Sequence, residues 1–292
     1  MIGRYAPSPT GTLHLGNLRT ALLAWLFARS AGSPFIVRLE DLDTGRVREP
    51  FYSEQLADLA VIGLDWDGEV VRQSDRTEIY EQAIGRLDTY ECFCTRAEIR
   101  EAVSAPHGPL PEGAYPGTCR DLTDAERAER RAAGRIPALR VRADGARVEF
   151  EDRVLGGHAG VVDDFVVRRS DGAIAYNLAV VVDDAAQGVE EVVRGADLLD
   201  STPRQIWLAR ALGVPEPAHA HVPLVLGRDG ARLAKRHGAV TLRDVAATDA
   251  LEWMGESLGL PGSTPREMLA AFDPDELPRE PTVFGRIPPV QG

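Results

Sequence analysis

Cysteine is scarce in this sequence of 292 residues, which contains only three. An odd number this small excludes a disulfide framework of the kind that stabilises small secreted domains. No apolar run of signal-peptide shape follows Met1, and the apolar segment 22–28 is far shorter than the roughly 20 residues that a membrane span requires. We therefore expect a cytoplasmic protein with reduced thiols and no membrane association.

Basic residues are outnumbered, since 33 lysines and arginines stand against 45 aspartates and glutamates, and the net charge is −12. This balance excludes a generic basic nucleic-acid coat protein but still allows a local basic patch that binds RNA. Hydrophobic residues make up 44% and charged residues 27%, which is ordinary for a globular enzyme with a sizeable core.

The pattern of apolar residues predicts an α/β fold that opens with a β-α-β unit. Residues 17–30 have helical spacing, and the β-branched segment 35–39 follows as a strand. The almost continuous apolar run 174–182 is typical of a buried parallel strand. Beyond Gly259 prolines dominate, so we expect a thin tail. Further helices are predicted over 53–63, 78–90, 121–135 and 203–213, and strands around Val148 and Phe150 and over 161–167.

The sequence has neither a P-loop nor a G-x-G-x-x-G motif, so ATP chemistry would need another device. One candidate is segment 7–17, in which Gly11 and Gly16 allow close approach of a ligand, and His14 and Asn17 lie three apart at a helix start. The free N–H groups of a helix N-terminus favour phosphate. The same pattern is also typical of a loop that simply enters a capped helix.

A second candidate is the glycine-rich segment 226–238, which carries four cations including Lys235. A lysine loop of this kind can close over a triphosphate and offset charge that develops at the α-phosphate. A solvated basic loop is the alternative.

Together the two segments resemble the HIGH and KMSKS signatures of class I aminoacyl-tRNA synthetases. Further blocks, in the family's order and covering most of residues 3–245, resemble glutamyl-tRNA synthetases. These blocks are residues 4–11, 38–43, 176–184, 194–197 and 201–205. The resemblance implies a Rossmann-like doubly wound parallel sheet with an inserted zinc-binding subdomain and a short C-terminal helical region. The predicted division is a first catalytic half over 1–90, the insertion over 91–160, a second catalytic half over 161–245 and a helical, proline-rich tail over 246–292.

Glutamate activation requires that two carboxylates and one ammonium be held. Arginine suits carboxylates because its planar fork binds them bidentately. The resemblance places Arg4 and Arg194 in the pocket, assigns Glu40 to the α-ammonium and makes Tyr176 a pocket wall. Tyr5, Ala6, Pro7 and Ser8 belong to the same pocket segment. Alternatively, Arg4 is a surface residue and Glu40 only pairs with Arg38.

The resemblance also assigns the chemistry of adenylate formation. His14, Asn17 and Lys235 are the catalytic residues, and His14, Gly16, Asn17 and Lys235 bind ATP together with Mg²⁺. The lysine loop departs from the signature, because Ala234 stands where a serine is usual and Arg232 where the first lysine is usual. Lys235 itself is kept, so we expect activity.

Only 47 residues follow Val245, too few for the anticodon-binding region of the longer enzymes. The chain therefore resembles the truncated branch, the glutamyl-Q tRNA(Asp) synthetases, as does Ala196, where the longer enzymes usually have Glu. The resemblance to this branch implies that the chain activates L-glutamate without tRNA and transfers it to queuosine at the wobble position of tRNA(Asp). A monomer is expected. The alternatives are a truncated tRNA(Glu)-charging synthetase and a non-catalytic paralogue that binds glutamate or tRNA.

A cluster of arginines on the charged helix offers candidate phosphate contacts. An equally acceptable interpretation is a solvated helix face, because Asp124, Glu126 and Glu129 alternate with the arginines. The cluster comprises Arg127, Arg130, Arg131 and Arg135.

All three cysteines, Cys92, Cys94 and Cys119, fall within 28 residues. Clustered reduced thiols suggest Zn²⁺, which takes four tetrahedral ligands in structural sites. Ligand chemistry alone favours His107 as the fourth ligand. However, Tyr115 precedes Cys119 by four residues, which resembles the Cys-x-Cys…Tyr-x-x-x-Cys site of the glutamyl-Q branch, and we therefore predict Tyr115. The alternative is three unrelated buried cysteines.

Overall fold

The computed structural model describes residues 2–104, 114–227, 229–231, 233 and 240–284. Its strands are β1 (Ile2–Tyr5), β2 (Phe35–Leu39), β3 (Val71–Arg72), β4 (Thr89–Cys92), β5 (Ala138–Val141), β6 (Ala146–Asp152), β7 (Gly156–Val162), β8 (Val166–Arg168), β9 (Val189–Gly195), β10 (Ala218–Val222), β11 (Val225–Leu226) and β12 (Thr282–Val283). Its helices are α1 (Leu15–Ser30), α2 (Pro50–Val61), α3 (Thr77–Ile84), α4 (Arg96–Ser104), α5 (Asp124–Ala132), α6 (Tyr176–Ala186), α7 (Thr202–Leu212), α8 (Ala247–Leu258) and α9 (Pro265–Ala270).

Seven strands form the main sheet, in the order β3-β2-β1-β9-β10-β6-β7. All neighbours run parallel except β6 and β7. Because β1 lies between β2 and β9, the strand order reverses there, and a doubly wound sheet binds ligands at such a point. The predicted Rossmann-like α/β fold is confirmed.

Helices cover both faces of the sheet. Successive residues of a strand point to opposite faces, as β1 illustrates. Gly3 lies against α1, where an added Cβ would come within 2.7 Å of Ala28. The next residue, Arg4, points to the other face and pairs with Asp184 of α6. None of the described helices has the length and apolar content that a membrane crossing demands.

The expected strand over 174–182 is wrong, because residues 176–186 form helix α6. Leu178, Ala179, Val180 and Val181 are all buried, since the helix packs between the sheet and helices α3 and α7. An element enclosed on several sides has no polar face, so its sequence lacks the helical periodicity that would identify it.

Three other expectations differ from the structure. The strand expected over 161–167 is instead the end of β7, residues 163–165 that belong to neither strand, and the start of β8. The helix predicted over 78–90 ends at Ile84, and strand β4 begins at Thr89. The tail after Gly259 is not thin where it is described, because Met268 and Phe272 are buried in the same core as α1. This segment completes the hydrophobic core and is not a peripheral appendage.

The predicted insertion over 91–160 is divided between two sheets. Strands β4, β5 and β8 form a separate antiparallel sheet, whereas β6 and β7 extend the main sheet beside β10. Hydrogen bonding therefore places residues 146–162 with the main sheet. The domain boundaries themselves stay a prediction.

Candidate active site

A cavity of about 700 Å³ opens at the carboxyl ends of β1 and β9, beside the N-terminus of α1. Its position is the one expected from the reversal of strand order. It contains every residue that the sequence assigns to glutamate, together with the described residues assigned to ATP. These are Arg4, Tyr5, Ala6, Pro7, Ser8, Glu40, Tyr176 and Arg194, with His14, Gly16 and Asn17.

The N-terminus of α1 is closed by a reciprocal cap between His14 and Asn17. The Asn17 N–H donates to Nδ1 of His14, and the Asn17 side-chain oxygen accepts from the His14 N–H, each at 3.3 Å. Because Nδ1 accepts, the proton of a neutral His14 ring is on Nε2, which can donate to a phosphate oxygen. Gly16 leaves room for this ring, since an added Cβ would lie 3.1 Å from it.

Hydrogen bonds from Gln55 of α2 fix the loop after β1. Its amide nitrogen donates to the carbonyl oxygens of Ser8 at 3.0 Å and Gly11 at 2.7 Å. The Glu40 N–H donates to the Pro7 carbonyl at 2.9 Å. These bonds hold the segment that lines the cavity in one shape.

Arg4 is buried, so its interpretation as a surface residue is wrong. Only 4% of its surface is exposed. Its Nη1 donates to the Val193 carbonyl at 3.1 Å, and its Nε lies 3.5 Å from Asp184. Burial tends to raise the pKa of Asp184, but the neighbouring Arg38 and Arg4 outweigh it, so that the pKa lies below its ordinary value.

Glu40 pairs with Arg38 and also faces the cavity. The distance from Oε1 to Nη2 of Arg38 is 3.5 Å, and the Glu40 side chain is 10% exposed. Burial raises the pKa of Glu40, although Arg38 and Arg4 oppose this. The charged carboxylate is therefore incompletely compensated, and an ammonium in the cavity would stabilise it.

Arg194, at the end of β9, is oriented by neighbours from three elements. Its Nη1 donates to Gln205 at 2.7 Å and to the Tyr176 hydroxyl at 3.4 Å. Its Nη2 donates to Thr202 at 2.8 Å, and its Nε donates to His221 at 3.0 Å.

Of the Arg194 partners, the sequence indicated Tyr176 but not Thr202, Gln205 or His221. Thr202 and Gln205 fell inside a motif that carried the resemblance, but no role was assigned to them. His221 lies beside Arg194 in the register of β9 and β10, a pairing that only the sheet topology reveals. The alternating histidines at 219 and 221 were the one visible signal.

The three cysteines meet in one cluster, and their sulfurs lie within 4.8 Å of one another. The Tyr115 hydroxyl lies 3.3 Å from the Cys92 sulfur and 3.8 Å from that of Cys94. A hydrogen bond with Cys94 lowers the pKa of Cys92 to about 4, so its sulfur readily becomes a thiolate ligand. The Arg140 guanidinium, 3.7 Å above the Tyr115 ring, adds positive charge. This set of residues can hold a metal ion.

Some predicted residues lie outside the described part of the chain, namely Lys235, Ala234, Arg232 and His107. The four arginines of the predicted charged helix are described, three on α5 and Arg135 just after it, and each has a partner within the chain. Arg127 pairs with Asp124, Arg131 with Glu91 and Arg135 with Glu98, and Arg130 donates to the Cys119 sulfur.

Comparison with known proteins assigns the chain to a family. The family model for the catalytic domain of class I tRNA synthetases (E and Q) matches residues 1–284. A relative from Nocardia farcinica, named glutamyl-Q tRNA(Asp) synthetase, is 63% identical over 97% of this chain and 92% of its own length. This chain belongs to the glutamyl-Q tRNA(Asp) synthetase family. A second relative of that name, from Symbiobacterium thermophilum, is 50% identical over 99% of this chain and 96% of its own length.

Solved structures agree with the family assignment. The crystal structure of a glutamate tRNA ligase from Elizabethkingia meningosepticum, in complex with its amino acid, superposes with a TM-score of 0.82 at 26% identity. The match covers 98% of this chain and 67% of that one. As a member of the glutamyl-Q tRNA(Asp) synthetase family and of class I, the chain is an ATP-dependent ligase that acts on tRNA.

Proposed function

We propose that this chain activates L-glutamate with ATP and Mg²⁺ in the absence of tRNA and transfers the glutamyl group to queuosine in tRNA(Asp). A glutamate carboxylate oxygen attacks the α-phosphorus, and the bond from phosphorus to pyrophosphate breaks. A hydroxyl of the queuosine cyclopentenediol then attacks the glutamyl carbonyl, and AMP leaves. The names of the relatives at 63% and 50% identity support this choice within the family.

The observation that carries the proposal is the convergence of opposite charges in one cavity. Two buried arginines, Arg4 and Arg194, and the carboxylate of Glu40, whose side chain is 10% exposed, line the same space. This is the complement of an amino acid with two carboxylates and one ammonium. Tyr176 supplies a wall with a polar tip beside Arg194.

The phosphates are assigned to the adjoining end of the cavity. There the positive end of the α1 helix dipole favours negatively charged oxygens, and the Nε2–H of His14 can donate to one of them. We assign Lys235 the same task from the lysine loop. Mg²⁺ bound to the phosphates would neutralise charge on the leaving pyrophosphate.

Glutamate-dependent ATP–pyrophosphate exchange, with and without tRNA, tests the first step. Exchange without tRNA is expected. Exchange only with tRNA(Glu) would instead show a truncated tRNA(Glu)-charging synthetase, and none in either condition would show a non-catalytic paralogue. Transfer is tested with radioactive glutamate and tRNA(Asp) purified with queuosine, with the same tRNA lacking queuosine as the matched control.

Lys235→Ala is expected to lower the exchange rate by about a hundredfold, the usual effect of removing one group that stabilises developing charge. The loss should appear in kcat, with little change in the KM for glutamate. Arg279→Ala, a cation in the described tail outside the cavity, serves as the control. Near-normal turnover of the Lys235 variant would remove this residue from the mechanism.

We further propose that Cys92, Cys94, Cys119 and Tyr115 hold one structural Zn²⁺. Tetrahedral zinc with bonds of about 2.3 Å to sulfur places its sulfurs about 3.8 Å apart. The sulfurs of Cys94 and Cys119 are 3.4 Å apart, which a small adjustment would accommodate. Four protein ligands leave no open position, so the ion would stabilise the β4-β5-β8 region and take no part in catalysis.

Metal analysis of protein purified without chelator is expected to give about one zinc per chain. Cys119→Ser should abolish stoichiometric zinc, and Tyr115→Phe should weaken zinc retention against a competing chelator. His107→Ala is the matched control and should retain zinc as wild type does. Loss of zinc in the His107 variant but not in the Tyr115 variant would reassign the fourth ligand. The cytoplasmic location and the monomeric state stay predictions.

A further inference from the structure

A fully buried carboxylate and imidazole lie directly behind Arg194. Oδ2 of Asp152, at the end of β6, is 2.6 Å from Nδ1 of His221 on β10, and neither side chain is exposed. On its other edge, the Nε2 of His221 accepts from the Nε–H of Arg194 at 3.0 Å. The three residues form a chain of hydrogen bonds that ends at the cavity.

The surroundings of Asp152 determine how its two oxygens are used. Oδ1 accepts the backbone N–H groups of Val154, Leu155 and His221 at 2.9 to 3.1 Å. Burial tends to raise the pKa of Asp152, but the bonds from His221 and from the backbone lower it to about 2. A carboxylate cannot donate, so the proton between Asp152 and His221 is on Nδ1.

The position of that proton determines whether the Nε2 of His221 donates to Arg194 or accepts from it. With Nδ1 protonated in the neutral ring, Nε2 carries a lone pair and can accept. Burial lowers the pKa of His221, as does the positive charge of Arg194, against the effect of the bond to Asp152. The ring is therefore neutral, and it fixes the plane of the guanidinium through its Nε–H.

We propose that Asp152 and His221 are positioning residues for glutamate, which lock the Arg194 fork in the orientation that receives a substrate carboxylate. This inference rests on the proposed role of Arg194 in glutamate binding. Neither residue lines the cavity. Their effect passes through Arg194, so it should appear in glutamate binding and not in ATP binding.

A matched pair of variants at His221 tests the proposal. His221→Gln can keep an oxygen acceptor near the position of Nε2, whereas His221→Leu removes it at similar volume. We expect the leucine variant to raise the KM for glutamate about 10- to 100-fold, the factor for one lost bond to a charged group. The glutamine variant should recover most of this loss, and the KM for ATP should change less than about threefold in both.

Asp152→Asn tests the proton placement itself. The backbone donors would hold the asparagine oxygen in the place of Oδ1, which directs its NH₂ group at Nδ1 of His221. The imidazole proton would then move to Nε2 and face the Nε–H of Arg194. We expect the KM for glutamate to rise as in the leucine variant, and ¹⁵N spectra of the imidazole to report an Nε2–H ring where wild type has Nδ1–H.

His158→Gln is the control. Ring contacts connect His158 through Phe150 and His219 to His221, but His158 is not among the residues to which Arg194 donates. This control variant should leave the KM for glutamate unchanged. Wild-type protein without exchange activity would refute the proposed function first. If wild type is active, the positioning role alone would be refuted by either of two results. One is a normal glutamate KM in folded His221→Leu and Asp152→Asn proteins, and the other is an Nε2–H ring in wild type.

Discussion

Arg194→Met is expected to lower kcat/KM for glutamate in the exchange reaction by about a thousandfold, within the range for removing one partner of a buried charge pair. The guanidinium is 5% exposed, so its attraction for a carboxylate is little weakened by water. The variant would also remove the hydrogen bonds that Arg194 donates to Gln205, Thr202 and His221. The KM for ATP should change little.

Arg194→Lys separates charge from geometry. Lysine keeps the positive charge but not the planar fork, and one ammonium cannot reach partners on β10 and α7 while it also binds substrate. We expect it to recover less than about a tenth of the lost kcat/KM. Arg204→Met is the control, since Arg204 lies on the same helix as Gln205 but pairs with Asp163 away from the cavity. A normal glutamate KM in Arg194→Met would contradict the assignment.

The motifs of this site could be predicted from sequence because each is continuous. Segment 4–8 is a strand end and its loop, and His14 with Asn17 is a helix cap, so local residue types determine both structures. The supporting residues could not be predicted in this way. Asp152 precedes His221 by 69 positions, and their contact exists only because β6 and β10 are neighbours in the sheet.

The incorrect secondary-structure predictions have a similar origin. The valines of 180–182 favour a strand by intrinsic preference, yet packing between the sheet and two helices decides for α6. The proline-rich tail has little periodicity, and only the tertiary structure shows that Met268 completes the core beneath α1. Local preference is overridden wherever an element is enclosed on most sides.

The largest effect on stability is expected at Arg38, which has no exposed surface. Its guanidinium lies 2.8 Å from Asp184, 3.5 Å from Glu40 and 3.6 Å from Asp183. Arg38→Met would leave these buried carboxylates without their shared cation. Breaking a buried pair in this way costs about 3–5 kcal/mol of unfolding free energy. Arg210→Met, which removes a half-exposed pair with Glu216, should cost less than about 1 kcal/mol.

The dependence of this loss on pH distinguishes electrostatics from packing. In wild type the pKa of Asp184 is lowered, so its charge stabilises the fold above the unfolded pKa, and this contribution disappears as the pH falls through the folded pKa. Without Arg38, Arg4 would remain beside Asp184 but would oppose burial less than the two arginines together do, so the pKa of Asp184 would rise and acid would neutralise this carboxylate more readily. Urea unfolding of both proteins should therefore show a large difference in midpoint at about pH 7.5 and a smaller one near about pH 4.5. An equal difference at both pH values would mean that Arg38 acts through its packing and not through its charge.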